Sequence, residues 1–144
     1  MLFRSPKTGN LTEEQLERLR NARPPSTWAA VAYTARGANG TSFNAPSRAA
    51  AEQEAIDKCL RLAGRRAECK PITGSGATCI TMASYTNRRG TTTYFGSHVA
   101  LRRTLAESIS EALRLCNDAQ NSGGKCAAKV TVCADGSHRS GSGR

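Results

Sequence analysis

The hydrophobic and polar positions of the chain form the same series of patterns twice. In the first copy, apolar side chains alternate along residues 27–33 as in a strand, and the Asn39-Gly40 dipeptide that follows predicts a hairpin turn. Ser47 is placed to cap a helix that runs to about Leu62, and a further strand is expected at residues 69–73. The first copy is therefore predicted to be a β-β-α-β unit.

The second copy repeats this order. Residues 79–85 and 91–101 are predicted strands on either side of a turn at residues 87–90. Thr104 begins a capping box and an amphipathic helix, and residues 127–133 alternate apolar and polar side chains as a last strand.

The spacing of the caps and cysteines supports a duplication. Ser47 precedes Cys59 by twelve residues, and Thr104 precedes Cys116 by the same number. We therefore expect an α+β fold made of a duplicated β-β-α-β unit, with antiparallel strands and two packed helices. Its repeats span residues 27–73 and 77–134.

The two copies differ in length. If Phe43 is aligned with Phe95, about five extra residues of the second copy fall between Phe95 and Thr104. The extra length is therefore expected just before the second helix.

The predicted repeats make up one domain, residues 27–134, between two polar ends. Residues 1–26 are a partly flexible leader with one short helix candidate, which begins at Thr12 and stops before Pro24. Residues 135–144 are rich in Gly, Ser and Arg and are predicted to be disordered.

Six cysteines allow fifteen disulfide pairings, and the duplication favours one of them. A cysteine at each helix end can meet the cysteine at the start of the next strand, and the two left over can join if their strands are neighbours. The proposed bridges are Cys59–Cys69, Cys116–Cys126 and Cys79–Cys133. No two cysteines have the short spacing of a zinc knuckle, so neither a metal nor another cofactor is expected. Structural disulfides favour a secreted or periplasmic protein.

The net charge of +10, from 21 Lys and Arg against 11 Asp and Glu, favours anionic partners. The basic residues form no dense run and no aromatic-interleaved stretch, so a nucleic-acid-binding module is an alternative without a motif behind it. No apolar stretch approaches the length of a membrane span.

Catalytic signals are weak. Ser97 and His98 are adjacent in a predicted strand, where neighbouring side chains point to opposite faces, and His138 lies in the predicted tail. The Gly-rich segment 73–79 lacks the lysine and helix of a phosphate loop. A small hydrolase that uses His98 is the second alternative, and we expect no enzyme.

Aromatic and guanidinium groups cluster around the second hairpin, a combination that is enriched in binding surfaces. The candidate binding surface consists of Tyr85, Arg88, Arg89 and Tyr94. The competing interpretation places the neighbouring Phe95 in the core and treats the arginines as solvated turn residues.

The first copy resembles a known family at Trp28–Tyr33, Ser47-Arg48-Ala49, Ala51-Glu52 and Cys59. The chain is similar, over residues 27–134, to the bacterial family catalogued as domain of unknown function 4189, whose members repeat this unit and are mostly exported. The family has no established activity, so the resemblance implies a fold and export.

We therefore expect a non-enzymatic exported binding protein that presents a basic surface to an acidic protein or to an envelope or host target. An inhibitor, an immunity protein or a secreted effector would fall within this class.

Overall fold

The computed structural model describes residues 12–14, 27–119 and 122–141. Most of the leader and its predicted helix lie outside these residues. The elements follow one another as β1 Trp28–Tyr33, β2 Asn39–Ala45, α1 Arg48–Ala63, β3 Lys70–Ser75, β4 Cys79–Arg89, β5 Thr92–Arg102, α2 Leu105–Asn117, β6 Ala127–Cys133 and β7 Arg139–Gly141. No helix among the described residues is long and apolar enough to cross a membrane.

The two copies fold in the same way, which confirms the α+β fold with a duplicated β-β-α-β unit. The first sheet has the strand order β2-β1-β3 and the second has β5-β4-β6-β7. Each copy thus places its first strand in the centre of an antiparallel sheet, between its second and third strands.

Both predicted helix caps are present. The Ser47 hydroxyl accepts the backbone N–H of Ala50 at 3.1 Å, and the Thr104 hydroxyl accepts that of Glu107 at 3.1 Å. These bonds satisfy amide donors that have no partner within the helix, which fixes where α1 and α2 begin.

Alternating side chains on the central strands divide the molecule into four layers. One face of β1 and one face of β4 meet in a core between the two sheets, while their opposite faces pack on α1 and α2. The core between the sheets contains Ala29, Val31, Ile80, Met82, Val130, Val132 and Ala134. The layers therefore follow the order α1, first sheet, second sheet, α2.

All three predicted disulfides are confirmed. Cys59–Cys69 and Cys116–Cys126 each join a helix to the loop or strand that follows it. Cys79–Cys133 joins directly opposed residues of the neighbouring strands β4 and β6.

The first hairpin turn lies elsewhere than the sequence suggested. Residues 34–38 form the turn, closed by a hydrogen bond from Thr34 N to Ala38 O, whereas Asn39 and Gly40 belong to β2. Gly40 is required there because a Cβ would lie 2.5 Å from Cys59 N, against the backbone of α1. Its place is set by close helix packing and not by a turn.

The extra length of the second copy is also in a different place. Tyr33 and Ser84 occupy equivalent positions on the central strands of the two copies. The loop from Tyr33 to its partner Asn39 is shorter than the segment from Ser84 to its partner Ser97. The added residues therefore lie at the tip of the β4–β5 hairpin, not between Phe95 and the helix. Phe95 lies in this extension, opposite Thr86, so the alignment with Phe43 was wrong.

The tail is partly ordered, in contrast to the expectation of disorder for residues 135–144. Residues 139–141 form β7 and pair with Val130, Thr131 and Val132 of β6. Backbone hydrogen bonding to an open strand edge needs no particular side chain, so the polar composition did not reveal it. The Arg139 guanidinium also lies 4.7 Å from the centroid of the Phe43 ring in the first copy.

Candidate functional site

The β4–β5 hairpin carries all four predicted surface residues, and three of them are exposed or half-buried. Arg88 and Arg89 are exposed and Tyr94 is half-buried, with the Arg89 guanidinium 5.7 Å from the centroid of the Tyr94 ring. This distance is within the range of a cation–π contact. Arg89 and Tyr94 therefore form one patch near the hairpin tip.

Tyr85 does not belong to this patch. Its side chain is only 8% exposed and packs with Ala83, Ala100 and Ala112 beneath α2. Gly96 lies opposite on β5, where a Cβ would come within 2.8 Å of the Tyr85 ring. Tyr85 is thus a core residue that fills the space left by a glycine.

The turn of the first copy rests on β5 of the second. The Ser97 hydroxyl donates to the carbonyl of Thr34 at 2.7 Å, and the Arg36 guanidinium lies 4.8 Å from the centroid of the Phe95 ring. Phe95 is half-buried under this arginine. Arg36 was not singled out in the sequence analysis, because its contacts join positions that are far apart in the chain.

A groove lies beside this contact, and we call it the junction groove. It consists of two adjoining cavities, of about 260 and 480 Å³, that share Arg36, Ala38 and Leu62. The smaller one, the polar compartment, also contacts Ser84, Thr86 and Lys129. The larger one, the apolar compartment, is lined mainly by Ala35, Ala63, Ala67 and Phe95, with Glu68 among its walls.

A β-bulge brings Lys129 to the groove. Met82 pairs with Val130 and Ala83 pairs with Ala128, so Lys129 is an extra residue of β6. Such a bulge re-aims a side chain that strict alternation would send to the other face. Lys129 consequently lines the same cavity as Ser84, on the side of the sheet that faces the first copy.

Charge is distributed unevenly over the surface. On α2, Glu111 forms ion pairs with Arg114 at 2.6 Å and with Arg102 at 3.1 Å. The hydrogen bond from Arg114 is the main reason why the pKa of Glu111 lies below its usual value. On α1, Glu52 and Glu54 pair with Arg48 and Lys58.

The cations of the junction groove and of the hairpin tip lack such partners. Within residues 27–119 and 122–141, no ion pair involves Arg36, Arg88, Arg89 or Lys129, all of which are exposed. We call these four residues the cationic end of the molecule.

The histidines are not arranged for nucleophilic catalysis. Ser97 donates to the first copy, whereas His98 lies on the opposite face of β5 with its ring centroid 6.4 Å from that of Tyr85. His138 lines a cavity with Ser137 and Asp135. There the Ser137 hydroxyl and N–H bind the Asp135 carboxylate and lower its pKa, so this hydroxyl is not directed at an imidazole. Over the described part of the chain, no group of His, Cys, Asp or Glu side chains could hold a metal ion.

Comparison with known proteins identifies a family. A family model described as domain of unknown function (DUF4189) matches residues 28–133. No curated protein matches the chain. No solved structure matches it either.

Proposed function

The chain belongs to the DUF4189 family, and we propose that this member is a non-enzymatic binding protein that recognises an acidic protein partner through its cationic end. The observation that carries the proposal is the separation of charge. Acidic residues pair with Arg48, Lys58 and Arg114 on the helices, where only Arg61 has no ion pair to a described residue, while Arg36, Arg88, Arg89 and Lys129 lie without such ion pairs around the junction groove and the hairpin tip. Unpaired cations of this kind steer an acidic partner and select it against others.

The scaffold supports this proposal. The hairpin tip lies where the second copy is longer than the first, so this part of the surface is an addition to the repeated fold, and its residues Thr86 and Phe95 also line the junction groove. Aromatic rings under Arg36 and Arg89 hold two of the guanidinium groups in place, which lowers the entropy lost on binding.

We place the protein in an oxidising compartment, either the periplasm or the outside of the cell. Three disulfides are typical of such compartments. An inhibitor, an immunity protein or a secreted effector each acts by binding in this way.

The test compares two variants with the same net charge. Arg88→Ala/Arg89→Ala removes two cations from the cationic end, and Arg48→Ala/Arg114→Ala removes two cations that are paired on the helices. Binding of fluorescent decaglutamate is measured by anisotropy at about 150 mM salt, where distant charges are screened. The first variant is expected to bind about 5-fold more weakly, which corresponds to roughly 1 kcal/mol, and the second to bind as the unmodified protein does.

Equal weakening in both variants would show that only net charge matters, and it would overturn the proposal. A DNA duplex of about 20 base pairs serves as the competing ligand. Tighter binding of this duplex than of decaglutamate, with a steep salt dependence, would support the nucleic-acid alternative instead.

A further inference from the structure

The polar compartment of the junction groove contains a buried hydroxyl without a partner. Ser84 is 6% exposed, yet its Oγ forms no hydrogen bond with any described residue. Ser97, its cross-strand neighbour, donates to Thr34 O at 2.7 Å. Buried hydroxyl groups are nearly always hydrogen-bonded, so an unpaired one at a cavity wall indicates a place for a ligand atom.

The position of Ser84 gives the cavity a closed inner end. Met82, two residues earlier on the same face of β4, is fully buried in the core between the sheets, whereas Thr86, two residues later, is exposed. The polar compartment therefore deepens from the exposed Thr86 to the buried Ser84, and Met82 fills the space between the sheets beyond Ser84. A chain end fits such a cavity, because its terminal group can reach Ser84 while the rest of the peptide lies along the groove.

The charged groups on the wall of the polar compartment indicate which ligand group binds there. The cavity wall carries the Ser84 hydroxyl beside Arg36 and Lys129, two cations that no described acidic residue pairs with. Hydroxyl and cationic donors together suit a carboxylate, which accepts several hydrogen bonds and carries the opposite charge.

The apolar compartment indicates which group of the ligand lies next to the carboxylate. Leu62 is 48% exposed and adjoins Ala63, Ala67 and Phe95 along this compartment. Glu68 lines the same compartment and repels an anion there, so the carboxylate is directed to Ser84 and an apolar group to Leu62.

We propose that the junction groove binds the C-terminus of a partner polypeptide whose last residue is apolar. The α-carboxylate and the last side chain leave the same Cα, which matches two compartments that share Arg36, Ala38 and Leu62. This inference rests on the proposed function only in taking the partner to be a protein.

Three peptides test the inference in NMR titrations of the oxidised protein. Acetyl-Gly-Gly-Leu with a free carboxylate is compared with its C-terminal amide and with acetyl-Gly-Glu-Leu-Gly-amide, whose carboxylate is internal. We expect the free carboxylate to shift the amide signals of Gly37, Ser84 and Lys129 and to bind about 10-fold more tightly than the other two. Equal binding of the amide or of the internal glutamate, or no shift at any residue of the groove, would overturn the inference.

Two variants on opposite faces of β4 separate binding from stability. Ser84→Ala is expected to weaken the free-carboxylate peptide about 10-fold without lowering Tm, since the lost hydroxyl has no partner. Thr81→Ala removes hydrogen bonds to Ser108 and Thr131, so it lowers Tm and leaves the affinity unchanged. An unchanged affinity in Ser84→Ala contradicts the inference. The Arg88→Ala/Arg89→Ala variant keeps the compartments intact, so peptide binding persists there even if decaglutamate binding shows the proposed function to be wrong.

Discussion

Small side chains bring the layers of this molecule together. Ala30 and Ala32 of β1 are fully buried against Ala51 and Ala55 of α1. Gly40 lies where β2 comes closest to α1, because no side chain fits between β2 and the backbone of α1. The stability of the first copy therefore depends on the absence of a single methyl group at this position.

Replacing Gly40 by alanine tests this dependence. The added Cβ would clash with Ala55 O and lie 2.5 Å from Cys59 N in the backbone of α1, so Gly40→Ala is expected to lower the free energy of unfolding by about 3 kcal/mol. Gly90→Ala is the control, because its Cβ would face open space and only the positive φ of 65° would cost about 1 kcal/mol. Chemical denaturation of both oxidised variants measures the difference, and an equal loss in the two would refute the packing argument.

The sequence analysis predicted the roles of some single residues correctly and missed those of others. Ser47 and Thr104 were assigned correctly because a helix cap acts on amides only two or three residues away. Asn39-Gly40 was assigned to a turn because local turn propensity contains no information about the helix that packs against the glycine. Ser84 was not singled out at all, since its lack of a partner depends on the fold around it.

At the scale of elements, Glu52 links α1 to β3. Its carboxylate accepts the Thr73 hydroxyl at 2.6 Å and the Arg48 Nε–H at 3.1 Å. The Thr73 hydrogen bond, followed by the one from Arg48, holds the pKa of Glu52 below its ordinary value of 4.5. Because the folded pKa is lowered, the stabilisation is complete above pH 4.5 and is lost as the pH falls through the folded pKa.

The Thr73→Val variant is expected to raise the pKa of Glu52 toward its ordinary value, while Thr73→Ser keeps the hydroxyl and the lowered pKa. The valine variant is also expected to lose stability at neutral pH and to lose less of it in acid, below both pKa values. Carboxyl-carbon NMR titration gives the pKa, and urea unfolding at both pH values gives the stability. The same pKa in all three proteins would show that Thr73 does not act on Glu52.

The bounds of the elements show where sequence patterns fail. The prediction for β6 matches residues 127–133, since its apolar alternation ends with the strand. The prediction for β4 stopped at residue 85, whereas the strand continues to Arg89. The extension carries polar side chains beyond the packed layers, and pairing with β5 extends it without an apolar pattern.

For the whole molecule, the duplication was predictable and the packing of its copies was not. Matching cysteine positions favoured the bridges Cys59–Cys69 and Cys116–Cys126, because a short loop limits which cysteines can meet. Both faces of β1 are apolar, however, so the sequence pattern does not say which face meets the second sheet. The junction groove depends on that choice, and it was therefore beyond sequence analysis.

The most direct measurement of where the protein binds is an NMR titration of the oxidised protein with decaglutamate at about 150 mM salt. We predict that amide shifts concentrate at residues 36–38, 84–95 and 129, around the cationic end, and that the outer faces of α1 and α2 stay unchanged. Shifts spread evenly over the exposed cations, including Arg48 and Arg114, would contradict recognition through the cationic end.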